Sequence, residues 1–251
     1  MDTQPVISVR NLRKQFDALA AVDGVSLDVT EGHIHSIIGP NGAGKTTFFN
    51  LLTKIHRPTS GTVLFKGRDI THLAPPQIAR LGIGRSFQIS AVFPSLTALQ
   101  NILVALQARR GDALQFWRSP KSLRPFHGEA HRILSLVDLD GFADTQVASM
   151  SYGRKRALEI ATTLALEPSV LLLDEPMAGM SREDVGHISD LLRRIVEGRT
   201  IIMIEHNLSV VATLSDHITV FSRGRIIASG DYATVSADPQ VIEAYIGEGD
   251  G

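Results

Sequence analysis

Two short stretches carry residue types that could do chemistry. Residues 39–47 read GPNGAGKTT and fit G-x-x-x-x-G-K-[ST]. Gly39, Pro40, Asn41, Gly42, Ala43 and Gly44 form a turn in which glycine lets successive main-chain N–H groups point inward as a nest for phosphate oxygens. An apolar strand precedes it and a helix (FFNLLTKI) follows, so a helix N-terminus adds its favourable dipole. In such a loop Lys45 would reach β- and γ-phosphates, Thr46 would ligate Mg²⁺, and the Thr47 hydroxyl would meet the α-phosphate. The second stretch is LLLDEP, residues 171–176. A buried strand ending in Asp174 and Glu175 places two carboxylates at the C-terminal edge of a sheet, where open α/β sheets bind ligands. Asp174 would hold Mg²⁺ through water, and Glu175 would polarise an attacking water. The plainer readings are a glycine-rich turn with a surface lysine and an acidic turn after a strand. The two motifs together favour binding and hydrolysis of a nucleoside triphosphate.

The surrounding pattern supplies the elements that would position these groups. Val6–Arg10 and Val25–Val29 alternate apolar and polar residues as half-buried strands do. HIHSII (33–38) is a more buried strand leading into the glycine loop, and Thr62–Phe65 is another. Thr97–Arg109 and Gly128–Val137 show helical spacing of apolar residues, for example Leu99, Ile102, Leu103 and Leu106. VLLLDE and TIIMIEH are continuous apolar runs, the mark of strands buried on both faces. HITVF and RIIAS are later strands. Ser181 with Asp184 resembles a capping box opening a helix to about Val196, and Asp238 with Pro239 opens a terminal helix to about residue 247.

Composition narrows the class. The chain has 251 residues, 43% hydrophobic and 20% charged, enough for a sizeable core in one large or two small domains. A net charge of -1 gives no reason to expect nucleic acid as a partner. The absence of cysteine excludes disulfides, thiolate metal sites and a cysteine nucleophile. The start MDTQPVISVR lacks the pattern of a signal peptide, and no apolar run reaches the roughly 18 residues of a spanning helix. A soluble protein that docks on a membrane partner is the expectation.

With the two motifs in place, the sequence resembles the nucleotide-binding subunits of ABC transporters, and further family motifs follow in order across nearly the whole chain. Gln88 in GRSFQIS matches the Q-loop, MSYGRKRALEIA (150–161) the signature, Pro176–Ser181 the D-loop, and His206 in IIMIEHN the switch histidine. Phe16 in LRKQF stands where an aromatic ring stacks on adenine. The resemblance implies a single ABC ATPase domain over 1–251: an α/β P-loop NTPase with a RecA-like core, a small antiparallel β-subdomain, and an α-helical subdomain inserted at about 89–166. It implies ATP and Mg²⁺ as cofactors. Gln88 would contact Mg²⁺ and water, and His206 the γ-phosphate. Ser151, Tyr152, Gly153 and Arg154 would meet ATP held by a second ATPase subunit, with capping by Ser151 as the plainer reading. There are departures: Tyr152 replaces a signature glycine, Arg154 its glutamine, and Ser181 a frequent D-loop aspartate.

GIGRSFQ, the long insert, SYG, DEPMAGM and VIEAYIG look most like the ATPase of branched-chain (hydrophobic) amino-acid importers. Urea and amide importers and lipopolysaccharide-export ATPases are the neighbouring alternatives, and a soluble non-transport ABC ATPase is the more remote one. The implied partners are transmembrane permease subunits, a second ATPase subunit and, indirectly, a periplasmic solute-binding protein, with the chain peripheral on the inner face of the cell membrane. The surface around Gln88, Val92 and Phe93 would receive a helix of the permease. The insert holds Arg109, Arg110, Arg118, Lys121 and Arg124 near Phe116, Trp117 and Phe126. It reads as a solvated cover over a helix pair, or as a contact with the membrane partner or anionic headgroups.

Overall fold

The computed structural model describes residues 4–86, 92–110 and 125–246. The chain falls into two compact units. The first comprises the residues up to Ile83, Ser169–Pro176, and the residues from Ile195 onward; the second comprises Gly84–Pro168 and Met177–Arg194.

In the first unit, β1 (Ile7–Phe16), β2 (Leu19–Val29), β4 (Ser60–Phe65) and β5 (Arg68–Asp69) form an antiparallel sheet in the order β2-β1-β4-β5. On β2 the expected alternation holds: Val25, Leu27 and Val29 are buried, while Ser26 and Asp28 are exposed. On β1 it does not hold: Ile7, Ser8 and Val9 are buried in succession, Arg10 and Asn11 are exposed in succession, and the register with β2 shifts between Val9 and Leu12. Asn11 takes the left-handed conformation there, with φ 46°. The irregularity returns Leu12 to the core and carries the strand on to Phe16.

The larger sheet has the order β10-β9-β3-β8-β7-β6. Here β3 (Ile34–Ile38), β7 (Val170–Asp174), β8 (Thr200–Ile204) and β9 (His217–Ser222) run parallel, and β10 (Arg225–Gly230) pairs antiparallel with β9. The unit boundary passes within the edge strand β6 (Ile83–Ser86). Every residue of β3, β7 and β8 is buried, which is why these segments read as continuous apolar runs. Helices α1 (Lys45–Leu52), α2 (Pro75–Leu81), α7 (Leu208–Leu214), α8 (Tyr232–Ser236) and α9 (Pro239–Ile246) complete the unit. Phe48 and Phe49 of α1 sit in one core cluster with Leu12, Val25 and Val63 of the small sheet and Leu172, Ile202 and Phe221 of the large one. The helix behind the glycine loop is thus held by both sheets. His35 is one of two buried polar residues inside β3. His35 bonds Thr219 Oγ1 through Nε2 at 2.8 Å, and burial, then the neighbouring His217 and His33, push its pKa down to about 3. It is therefore neutral at ordinary pH.

The second unit is helical. Its α3 (Ala98–Arg109) packs on α4 (His127–Leu136) and α5 (Tyr152–Leu164), and α6 runs Arg182–Ile195. Thr97 caps α3 reciprocally with Gln100: the Gln100 N–H donates to Thr97 Oγ1 at 3.2 Å, and the Thr97 N–H donates to Gln100 Oε1 at 2.9 Å. In α5 the buried Arg156 donates to Glu159 at 2.7 Å. Ser181 opens α6 as expected, accepting from the Asp184 N–H at 3.2 Å while its hydroxyl donates to Asp184 Oδ2 at 2.9 Å. Arg109, at the start of the basic insert, pairs with Glu129 and Glu167 and donates to the Ala165 carbonyl. The Arg110 guanidinium lies 5.8 Å from the Phe126 ring centre. Phe116, Trp117, Arg118, Lys121 and Arg124 lie outside the described residues. Among the described residues no helix is long and apolar enough to cross a membrane.

Candidate functional site

The loop 39–47 joins the end of β3 to the start of α1. Gly39, Gly42 and Gly44 have φ of 142°, 74° and 100°, values that suit glycine. Two of them are required for a second reason. A Cβ on Gly39 would stand 2.1 Å from the Phe221 carbonyl oxygen of β9, and one on Gly44 would stand 2.2 Å from the Ala21 carbonyl oxygen of β2. The loop is pressed between the backbones of two sheets. Lys45 is buried, and its ammonium crosses the loop, donating to the Gly39 carbonyl at 2.5 Å and the Pro40 carbonyl at 2.8 Å. Among the described residues no side chain caps α1, whose N-cap Gly44 takes the left-handed conformation. Thr46 is exposed and Thr47 half-buried in its first turn, while Asn41 and Gly42 are exposed and Ala43 buried. A cavity of about 770 Å³ lies against the loop's outer turn, with Pro40, Asn41 and Gly42 facing Arg223, Arg225 and Glu243.

The acidic pair stands in the same unit. Asp174 is the last residue of β7, only 1% exposed, and is paired in register with Ile204 of β8. Glu175 is half-buried and takes the left-handed conformation, φ 47°, with its N–H donating to the Ile204 carbonyl at 3.0 Å. His206 is exposed just past β8. The preceding Glu205, to which the sequence reading assigns no role, is a buried carboxylate at the same sheet edge. A lone acid ending an apolar strand is the signal that could have marked it. Among the described residues no three His, Cys, Asp or Glu side chains form a metal cage. The local donor set of a buried Asp174 and an exposed Thr46 hydroxyl suits a Mg²⁺ that keeps waters and takes further oxygens from substrate phosphates.

Phe16 ends β1 and is 39% exposed; His56 stands edge-on to its ring at 5.3 Å, and the Lys14 ammonium lies 4.8 Å from its centre. Gln88 lies outside the described residues. Val92 is buried, which corrects its expected place on a docking surface, whereas Phe93 is 52% exposed.

The signature stretch belongs to the second unit. Ser151 is the N-cap of α5, its Oγ accepting from the Arg154 N–H at a long 3.4 Å, and it is exposed. The exposed Tyr152 donates its hydroxyl to the Ala178 carbonyl at 3.2 Å. Gly153 is buried; a Cβ there would stand 2.3 Å from Asp184 Oδ1. Arg154 lies flat against Phe142, its guanidinium carbon 3.8 Å from the ring centre. Ser151, Gly153 and Arg154, without Tyr152, line a cavity of about 520 Å³ with Ser181 and Asp184.

Comparison with known proteins agrees with this arrangement. The ABC transporter family model matches residues 22–178, and the chain belongs to that family. It is an ABC ATPase with the α/β P-loop fold. A second model, described as branched-chain amino acid ATP-binding cassette transporter, matches residues 225–251, spanning β10, α8 and α9. High-affinity branched-chain amino acid transport ATP-binding proteins of Pseudomonas aeruginosa (BraF) and Escherichia coli (LivG) are 36% identical over 98% of this chain and 99% of theirs. A probable LivG of Archaeoglobus fulgidus is also 36% identical, over 98% of this chain and 96% of its own. Among solved structures, the ADP conformation of an ATP-binding cassette of an ABC transporter superposes with a TM-score of 0.85 at 30% identity, covering 98% of this chain and 100% of that one.

Proposed function

We propose that this chain, as a single ABC ATPase domain, binds MgATP at the loop 39–47 and hydrolyses it to power import of branched-chain or other hydrophobic amino acids. The observation that carries the nucleotide site is the loop itself. Two of its glycines sit where no Cβ fits, and a buried lysine spans it at the head of an uncapped helix. The solute class rests on the match over residues 225–251 and on the names of the full-length relatives.

Each side chain then has a task. Main-chain N–H groups of Gly42 to Thr47 would receive the phosphate oxygens, and the Lys45 ammonium would turn from the loop carbonyls to the β- and γ-phosphates. Thr46, Asp174 through water, and Gln88 would hold Mg²⁺, which when bound neutralises charge on the phosphates. The Glu175 carboxylate would accept the proton of a water attacking the γ-phosphorus in line, and His206 would donate to the γ-phosphate oxygen. Phe16 would stack on the adenine. Ser151, Tyr152, Gly153 and Arg154 would face the γ-phosphate of ATP on a second ATPase subunit. Arg154, already stacked on Phe142 of its own chain, would brace that face. The exposed Phe93 would seat a permease helix, placing the chain peripherally on the inner membrane face with a periplasmic binding protein upstream.

Glu175→Gln tests the reading. The variant should bind MgATP by calorimetry with wild-type affinity yet release phosphate at least about 100-fold more slowly, as expected for loss of a general base. Wild-type turnover would remove the role assigned to Glu175.

A further inference from the structure

Glu205 is a buried acid with no part in the mechanism above. It is 1% exposed, immediately beyond β8. Its own N–H donates at 3.3 Å to the carbonyl of Ile37, close to the end of the strand that feeds the glycine loop. Its neighbour Ile204 pairs with Asp174 and accepts the Glu175 N–H at 3.0 Å. The residue therefore sits where the three segments bearing Lys45, Asp174 with Glu175, and His206 come together.

A carboxylate withdrawn from water needs donors in return. Two are main-chain groups of the segment that follows: Oε2 accepts from the His206 N–H at 3.2 Å and the Asn207 N–H at 3.5 Å. Asn207 in turn caps α7, its Oδ1 accepting from the Ser209 N–H at 3.1 Å and the Val210 N–H at 3.3 Å. His206 thus leaves the sheet between two side-chain acceptors that hold the main chain on either side of it. His206 is exposed, and its main-chain N–H is held by the buried Glu205.

We propose that Glu205 is a positioning residue for the hydrolytic reaction: its carboxylate fixes the main chain of His206 so that the imidazole is presented to the γ-phosphate. This rests on the role proposed above for His206. A group that must meet a reacting oxygen within a few tenths of an ångström depends on such an anchor.

The test is a set of variants of the full chain assayed for phosphate release at saturating MgATP. Glu205→Met, similar in length and without an acceptor oxygen for the main-chain N–H groups, should lower kcat about tenfold with KM for ATP within about twofold, the pattern of lost transition-state positioning. Glu205→Gln keeps an acceptor and should recover most of that loss. In a His206→Ala background, Glu205→Met should cost no further activity, because the group it positions is gone. Wild-type kcat in Glu205→Met, an equally deep loss in Glu205→Gln, or a full tenfold loss in the His206→Ala background would each overturn the proposal. Melting temperature and ADP affinity, measured on every variant, separate these outcomes from misfolding. Wild-type turnover in His206→Ala alone would instead remove the role of His206, and with it any purpose for its anchor.

Discussion

The glycine loop and the signature stretch each contain a glycine that no side chain can replace without movement, but the obstacles differ in kind. At Gly39 and Gly44 the obstructing atoms are main-chain carbonyl oxygens of strands β9 and β2. At Gly153 they are the carboxylate atoms of Asp184, at the end of a short side chain on α6. A loop pressed against backbone can be distorted only by moving strands. A helix N-terminus braced by side chains can re-form around a rotamer change. The first region is thus rigid by backbone packing, and the second is specified by side chains that can be exchanged.

Four single substitutions, one of them with a rescuing second change, bear on that contrast. Gly44→Ala should be the most damaging, because it adds a backbone collision to an unfavourable φ of 100°. A loss of at least about 4 kcal/mol in chemical denaturation and no measurable MgATP uptake are expected. Arg156→Met should cost about 3 kcal/mol by leaving Glu159 buried and unpaired in α5. Adding Glu159→Leu should restore most of it, which a simple packing defect would not allow.

Lys54→Met should act in the other direction. Lys54 lies just past α1, 5% exposed, with φ 62° and no hydrogen-bond partner for its ammonium among the described residues. Burial, only partly offset by Asp69, lowers its pKa from 10.5 to about 8. The unfolded chain therefore holds more protons between those values, so wild-type stability rises with pH across that window. The variant should be more stable by about 2 kcal/mol below pH 8, and the gain should fade as pH rises toward 10.5. A gain unchanged across that window would assign the effect to packing. The smallest effect is expected for Gly153→Ala. Asp184 swings aside and its Oδ2 gives up the hydrogen bond it accepts from the Ser181 hydroxyl, while alanine favours the helix, for a net change under about 1 kcal/mol in melting measurements. A loss comparable with that of Gly44→Ala would erase the distinction between the two regions.

Much of the architecture was legible from patterning. The runs at β3, β7 and β8, the caps at Ser181 and Asp238, and the alternation on β2 are all sequence-local signals. What escaped was short or irregular. Helices α2, α7 and α8 have only 7, 7 and 5 residues, too few for a 3.6-residue period to show. The second half of β1 was hidden by the irregularity at Asn11, which breaks the period-2 pattern short of Phe16. Within the site, the order Lys45, Asp174, Glu175, His206 was legible, but Glu205 was not singled out. Its meaning lies in the burial of its carboxylate and in the N–H groups it meets.

By itself the amino-acid sequence determined the family, the order of the longer elements and the residue types at the glycine loop, because motif spacing and periodicity are properties of neighbours along the chain. Only the tertiary structure decided which glycines are obligatory, which lysine carries a depressed pKa, and which acid accepts from the main chain of His206. Those depend on strands brought together from distant parts of the chain. A carbonyl at Phe221 or Ala21 excludes a Cβ, and a buried carboxylate needs its donors, only once the sheets have closed around them.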